Sequence, residues 1–163
     1  MALMRLAGIS AAAAVIWVAG ASHAPSHEKL ALTAIVPGAV TTQAFGCSNL
    51  VLEPFDPYCP SRHIHTGVDL AAPKGTAVRA AAAGTASVGF DPAGCGLYVS
   101  VVDGHIRVLY CHLSAALVTP GDRVVTGELV GRVGSTGLST GAHLHFEVQV
   151  DGRAVDPVTW LGS

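Results

Sequence analysis

Between residues 143 and 150 the chain reads HLHFEVQV, and polar and apolar positions alternate without a break. On an extended strand successive side chains point to opposite faces. His143, His145 and Glu147 are therefore predicted on one face, and Leu144, Phe146, Val148 and Val150 on the other. The apolar set marks the core side, so both histidines project together away from it. Shorter valine-rich runs recur through the rest of the chain, divided by glycines and prolines, and almost nothing carries a helical period. The clearest hairpin is GLYVSVVDGHIRVLYCHL, with Asp103-Gly104 expected at a type I′ turn. AAAAG at 80–84 has helical propensity, but its Val78 and Val88 flanks and the nearby glycines argue for a tight strand of small residues. Segments 73–89 and 119–134 echo each other in Pro, Gly and Val, and each predicts a strand, a turn and a strand. The fold class expected is all-β: a compact two-sheet sandwich of antiparallel strands, barrel-sandwich-like, with two similar halves.

Composition narrows the classes of partner. The chain has 163 residues, of which 50% are hydrophobic and 12% charged. That suits one domain with a real core and argues against disorder. A net charge of −2 gives no overall pull towards nucleic acid or anionic lipid, so neither is expected as a partner. A monomer is expected. Residues 1–21 read as a secretory signal: Arg5, an uncharged run from Leu6 to Ala21, then Ala19-Gly20-Ala21 at the cleavage position. The run is short for a membrane span of roughly 20 residues, and an uncleaved anchor is the alternative. Residues 22–41 read as a linker and 42–163 as the working domain, in a secreted or cell-envelope protein.

Cys47, Cys59, Cys95 and Cys111 contain no C-x-x-C pair, so a thiolate metal site is poorly supported. In an exported chain an even count favours disulfides. Cys47 and Cys59 bracket a Pro- and Asp-rich loop, while Cys95 and Cys111 flank the hairpin nearly opposite each other. Bridges Cys47–Cys59 and Cys95–Cys111 are expected.

The chemistry lies in the histidines. In HTGVD, read as extended, His65, Gly67 and Asp69 share one side, and Gly67 leaves room between the two ligand-type side chains. A catalytic zinc site takes three nitrogen or oxygen ligands and keeps one position open. His65, Asp69 and one histidine of the His143/His145 pair would supply that set. The remaining histidine would move protons, work that an unperturbed pKa of ~6.5 suits. The helical H-E-x-x-H arrangement is absent. His112, at the end of the hairpin strand in LYCHLS, is a further candidate.

With these residues in place, the chain resembles the lysostaphin-type (LytM-type) zinc metallopeptidases, which cut peptide cross-links in bacterial cell walls. The likeness runs from about Thr42 to Leu161 and includes QAFG, HTGVDLAAPKGTAV, LYCHLS, PGDRVVTGELVGRVGSTGLSTGAHLHFEV and DGRAVDPVTWL. It implies one Zn²⁺ per chain held by His65, Asp69 and His145, with His112 and His143 as catalytic partners. It also implies a zinc endopeptidase acting on peptidoglycan cross-link or stem peptides. The alternative is a catalytically silent regulator or wall-binding domain, but members of that kind typically lack some of these positions. CSNLVLEPFDPYCPSRHIH departs from the commonest family pattern. It is an insertion closed by a cysteine pair, placed to shape the substrate groove or brace its mouth.

Other readings compete at single residues. His63 shares the face of His65 but lacks Gly and Asp at the expected offsets, and His105 is expected in the solvated turn. Glu147 is a candidate to orient His145 from behind. GSTGLSTG (134–141) lacks the lysine and following helix of a phosphate cradle, and is expected to be a mobile loop giving backbone donors to a peptide. The half-barrels of biotinyl and lipoyl carrier domains look similar to 118–135. Those carriers need a lysine on a hairpin tip, however, and Lys74 lies in a loop before a strand.

Overall fold

A computed structural model describes residues 28–162. The expected signal segment and the start of the expected linker, with His23 and His27, lie outside the described residues. Thirteen strands and two short helices make up the rest. They are α1 (Leu32–Ile35), β1 (Val40–Gln43), β2 (Gly46–Ser48), β3 (His63–His65), β4 (Gly67–Ala71), β5 (Ala77–Arg79), β6 (Gly84–Asp91), β7 (Gly96–Asp103), β8 (Ile106–Cys111), β9 (Leu113–Ala116), β10 (Arg123–Val124), β11 (Leu129–Val133), β12 (His143–Val150), β13 (Arg153–Val155) and α2 (Pro157–Leu161). The large sheet runs β1-β4-β12-β8-β7-β6-β10, with β13 also on β12. A three-stranded sheet runs β5-β11-β9, and β2 and β3 form a separate ribbon. Every pairing is antiparallel. The all-β, antiparallel expectation holds.

The core lies between the two larger sheets. Val99, Tyr110, Leu144 and Phe146 enter it from the large sheet, and Val78, Leu113, Val130 and Val133 from the small one; all are fully buried. The alternation in β12 is realised at three of its four apolar positions: Leu144, Phe146 and Val148 are sealed away from solvent, whereas Val150, at the strand's end, is only half-buried. Part of the stretch read as linker is packed as well, since Ile35 and Val36 are core residues.

The internal echo becomes mutual pairing. Within 73–89 the first strand, β5, joins the small sheet and the second, β6, the large one; within 119–134 the order reverses. β5 then pairs with β11 and β6 with β10. The crossings match too: Gly127 N–H donates to Ala80 C=O and Gly121 N–H to Ala86 C=O.

Two local expectations need correction. Residues 80–83 are not strand but the crossing from small sheet to large. There Ala80 and Ala81 are fully buried, and Ala81 N–H donates to the Tyr110 hydroxyl at 2.7 Å. Small side chains are needed because the backbone itself passes through the core. The hairpin turn falls one residue later than expected, because Asp103 pairs with Ile106 and leaves Gly104-His105 as the loop. Gly104 alone there takes positive φ, at 57°. A type I′ turn at Asp103-Gly104 would demand it of Asp103 as well, whereas type II′ needs only a glycine in the first place.

Candidate metal centre and its cleft

Strand pairing assembles the site. β12 lies between β4 and β8, with His145 opposite Asp69 on one side and opposite Cys111 on the other. His65 closes β3, one residue before β4 begins. Its Nε2 lies 3.1 Å from Asp69 Oδ1 and 3.0 Å from His145 Nδ1. His145 Nδ1 is in turn 3.0 Å from Asp69 Oδ1. Gly67 makes this convergence possible: a Cβ there would stand 2.5 Å from the Phe146 carbonyl oxygen and 2.8 Å from His145 Cε1.

The outer nitrogens fix what the inner ones present. His65 Nδ1–H donates to Ala44 C=O at 2.9 Å, which leaves Nε2 as an acceptor. His145 Nε2–H donates to Glu147 Oε2 at 3.4 Å, which leaves Nδ1 as an acceptor. Three acceptor atoms thus meet in one triangle with no donor of their own, an arrangement that calls for a cation at its centre. Zinc at ~2.0–2.1 Å from each ligand asks for tetrahedral edges of about 3.4 Å. The observed edges lie within a few tenths of an ångström of that, so the residues fit such an ion. Among the described residues, His65, Asp69 and His145 are the group of three whose ligand atoms converge this way.

Ionisation follows from the same contacts. Burial raises the Asp69 carboxyl, but its close contacts with the His145 and His65 rings outweigh it and hold the group well below the usual carboxylate range. Burial likewise opposes a charge on His145, yet Asp69 and Glu147 carry its pKa up to about 9. In the metal-free chain the cation in the triangle is therefore a proton. Glu147, despite its burial, is also held low by donors: His145, Thr66 Oγ1 at 2.6 Å and Gln149 Nε2 at 2.6 Å.

His112 and His143 stand beside the triangle. Their ring centroids are 4.7 Å apart, and that of His112 is 6.0 Å from that of His145. His112 Nδ1–H donates to Thr136 C=O at 2.8 Å, and His143 Nδ1–H to Gly141 C=O at 2.9 Å. Both therefore present Nε2 as an acceptor, and that of His143 lies 3.7 Å from Asp69 Oδ2. Burial, helped by the neighbouring imidazoles, takes the pKa of His112 down to about 4 against the pull of Thr136 C=O and Asp69. Its backbone adopts φ of 62°, a strained conformation for a non-glycine residue of the sort functional sites retain.

The glycine-rich loop has a different role from the one expected. It is anchored: Thr136 Oγ1 accepts from Leu97 N–H at 2.9 Å, and Leu138 N–H donates to Gly94 C=O at 2.9 Å. Its contribution to the site is the pair of carbonyls that orient His112 and His143. No side-chain type announces a backbone acceptor, so these partners were invisible in the sequence. Thr66 and Gln149 were missed too, although Gln149 continues the alternating face of His143, His145 and Glu147.

Both expected disulfides are present, Cys47–Cys59 and Cys95–Cys111, with Cα separations of 5.3 and 4.8 Å. The second joins the turn after β6 to the residue before His112. All of this surrounds a cleft of about 420 Å³ that His65, Asp69, His112, His143, His145 and Glu147 line, together with the Cys47–Cys59 loop. Among the described residues, no lysine or arginine lines it. His63 stays out of the triangle and donates from Nδ1 to Glu53 C=O at 2.8 Å. His105 is exposed in its turn, and Lys74 lies in the turn before β5.

The antiparallel sandwich thus brings two histidines and a carboxylate together, beside two more histidines, in an arrangement that could hold a metal ion. The chain belongs to peptidase family M23, whose profile matches residues 63–157. It is 45% identical over 97 residues to the DD-carboxypeptidase/endopeptidase Mpg of Neisseria meningitidis, covering 59% of this chain and 22% of that protein. It is 39% identical over 107 residues to lysostaphin of Staphylococcus staphylolyticus, covering 61% of this chain and 22% of that one. The solved catalytic domain of lysostaphin from Staphylococcus simulans aligns with a TM-score of 0.63 at 31% identity, covering 77% of this chain and 93% of that domain. A zinc-containing peptidase from Vibrio cholerae aligns at 0.66 and 29%, covering 80% and 40%. The chain thus matches about a fifth of the length of the sequence relatives.

Proposed function

We propose that the chain is a zinc-dependent endopeptidase, exported to the cell envelope, that hydrolyses peptide bonds in peptidoglycan. The observation that carries this reading is the triangle of acceptors on His65, Asp69 and His145, braced from behind and flanked by two further histidines with free Nε2 atoms. Two imidazoles and one carboxylate are the ligand set of a catalytic rather than a structural zinc, since a fourth position stays open. The described cysteines are all in disulfides and do not compete as ligands.

Bound there, zinc supplies Lewis-acid chemistry, polarising a peptide carbonyl and making water nucleophilic near neutral pH. The rest of the chemistry falls to the chain. His112, held neutral by burial, takes up the proton of the attacking water at Nε2 while Thr136 C=O keeps its ring in place. The protonated ring then passes that proton to the leaving amine. His143, beside it, presents Nε2 to the same space and, once that nitrogen carries a proton, donates towards the oxygen on which charge builds, the electrostatic contribution that is commonly the largest.

The test uses defined muropeptides with and without a chelator, weighing the products. His145→Ala is expected to lose metal and cleavage together. His112→Ala should keep its zinc while turnover falls ~10²–10⁴-fold. Cleavage indifferent to the chelator would overturn the zinc assignment, and a zinc-loaded chain that cuts no muropeptide would instead be a silent regulator.

A further inference from the structure

The Cys47–Cys59 loop carries apolar side chains that face solvent, and two of them face the cleft. Leu50 and Leu52 are 52% and 58% exposed, and Leu138 of the glycine-rich loop is 46% exposed. All three line the same cleft as the metal triangle. Val51, between them and 79% exposed, does not line it. Exposed apolar groups gathered at one groove mark a surface awaiting an apolar partner.

Nor is the loop free to fold these leucines away. Its ends are joined by the disulfide. Gln43 Nε2 donates to Glu53 Oε1 at 3.1 Å and to Ser48 Oγ at 3.2 Å, and Leu50 N–H donates to the same hydroxyl at 3.1 Å. Ile64 N–H donates to Pro54 C=O at 3.0 Å, next to the ligand His65. The leucines are thus held at fixed positions relative to the metal triangle before any substrate arrives.

From this we infer that Leu50 and Leu52 are specificity-determining residues: they select peptide bonds flanked by methyl-bearing, alanyl-type residues over glycyl-glycine bonds. The inference rests on the proposed peptidase function and adds its substrate class. A peptide with side chains covers both leucines and removes apolar surface from water. A glycine bridge presents backbone alone and leaves the leucines wet, with the polar floor of the cleft unaffected.

The experiment compares two quenched peptides, identical except for alanyl or glycyl residues around the scissile bond. Zinc-loaded wild type is expected to favour the alanyl peptide in kcat/KM by about tenfold or more, the scale of a methyl-sized difference in an apolar pocket. The double variant Leu50→Ser, Leu52→Ser should lose that preference through KM, with kcat retained and the glycyl rate unchanged. Val51→Ser, on the same loop but off the cleft, should keep the preference. Equal or reversed selectivity in wild type would overturn the inference. So would a uniform loss on both peptides in the double variant, or a Val51→Ser effect as large. If neither peptide is cut, calorimetric binding of the alanyl peptide decides: tighter binding by wild type than by the double variant upholds the inference, equal binding overturns it, and the missing cleavage counts against the peptidase reading alone.

Discussion

Glu147 shows how much one side chain fixes. Its carboxylate takes donors from Thr66, Gln149 and His145, and the last of these sets which nitrogen His145 turns towards Asp69. In Glu147→Gln the shape is kept, but one oxygen becomes an NH₂ facing groups that are themselves donors. His145 then loses its reason to keep Nδ1 bare. Partners behind a metal ligand are typically worth 10–100-fold in affinity, so this variant should bind zinc weaker by about that factor while melting near the wild-type temperature. Competition against a fluorescent chelator measures it, and unchanged affinity would mean that Asp69 and His65 alone orient the ring. The pairing of His143 with His145 across an alternating strand was legible in the sequence, because a period of two is visible in residue types. Which histidine of the pair joins His65 and Asp69 was not legible from the residues alone. In the structure it is His145, its outer nitrogen held by Glu147 while Gly141 C=O holds that of His143, and in the sequence only the resemblance separated the two.

Elements carry the site by their junctions more than by their lengths. The loop of 134–141 meets the start of β7 at Gly137 and Gly96, where a Cβ on Gly137 would stand 2.2 Å from Gly96 N and φ is 70°. Gly137→Ala must push the loop outwards, and Thr136 C=O moves away from His112 with it. Zinc should remain bound at full stoichiometry while kcat falls by about tenfold or more, short of the ~10²–10⁴ of a lost acid–base group. Gly141→Ala, with nothing within 4 Å of its Cβ, is the control, read in parallel by metal analysis and turnover. A second junction joins β8 to the 80–83 crossing through Tyr110, whose burial raises its pKa and whose hydroxyl accepts from Ala81 N–H. Tyr110→Phe leaves that amide unpaired in the core and should cost about 1–3 kcal/mol, seen as a lower denaturant midpoint at unchanged slope. These junctions explain the limits of the sequence reading. Alternation located β12, and the echo located the two interlocked halves. AAAAG, however, looked like strand because the sequence does not say that its backbone crosses the core, and the anchored loop looked mobile because glycines there serve close approach rather than freedom.

For the molecule as a whole, the site links folding, metal and pH. Without metal, Asp69 is ionised and the triangle is held by the proton on His145, whose pKa is about 9 folded against 6.5 as the ordinary value. A raised pKa means that this proton stabilises the metal-free fold fully below pH 6.5, and that the contribution is lost as pH climbs through 9. His112, lowered to about 4, acts in a separate window: it stays neutral in the fold, so acidification from 6.5 towards 4 favours the unfolded chain. Zinc must displace the His145 proton, because both need the same nitrogen. Binding at pH 7.5 should therefore release about one proton per ion, and the apparent Kd should tighten about tenfold per pH unit from 6.5 to 9. Calorimetry in buffers of different ionisation heat counts the protons directly. The melting temperature of the zinc-loaded chain should accordingly pull further ahead of the metal-free one as pH rises across that interval. A binding heat independent of the buffer would mean that the triangle holds no proton at neutral pH. In that case the three acceptors would have to be held together by something other than a proton they share.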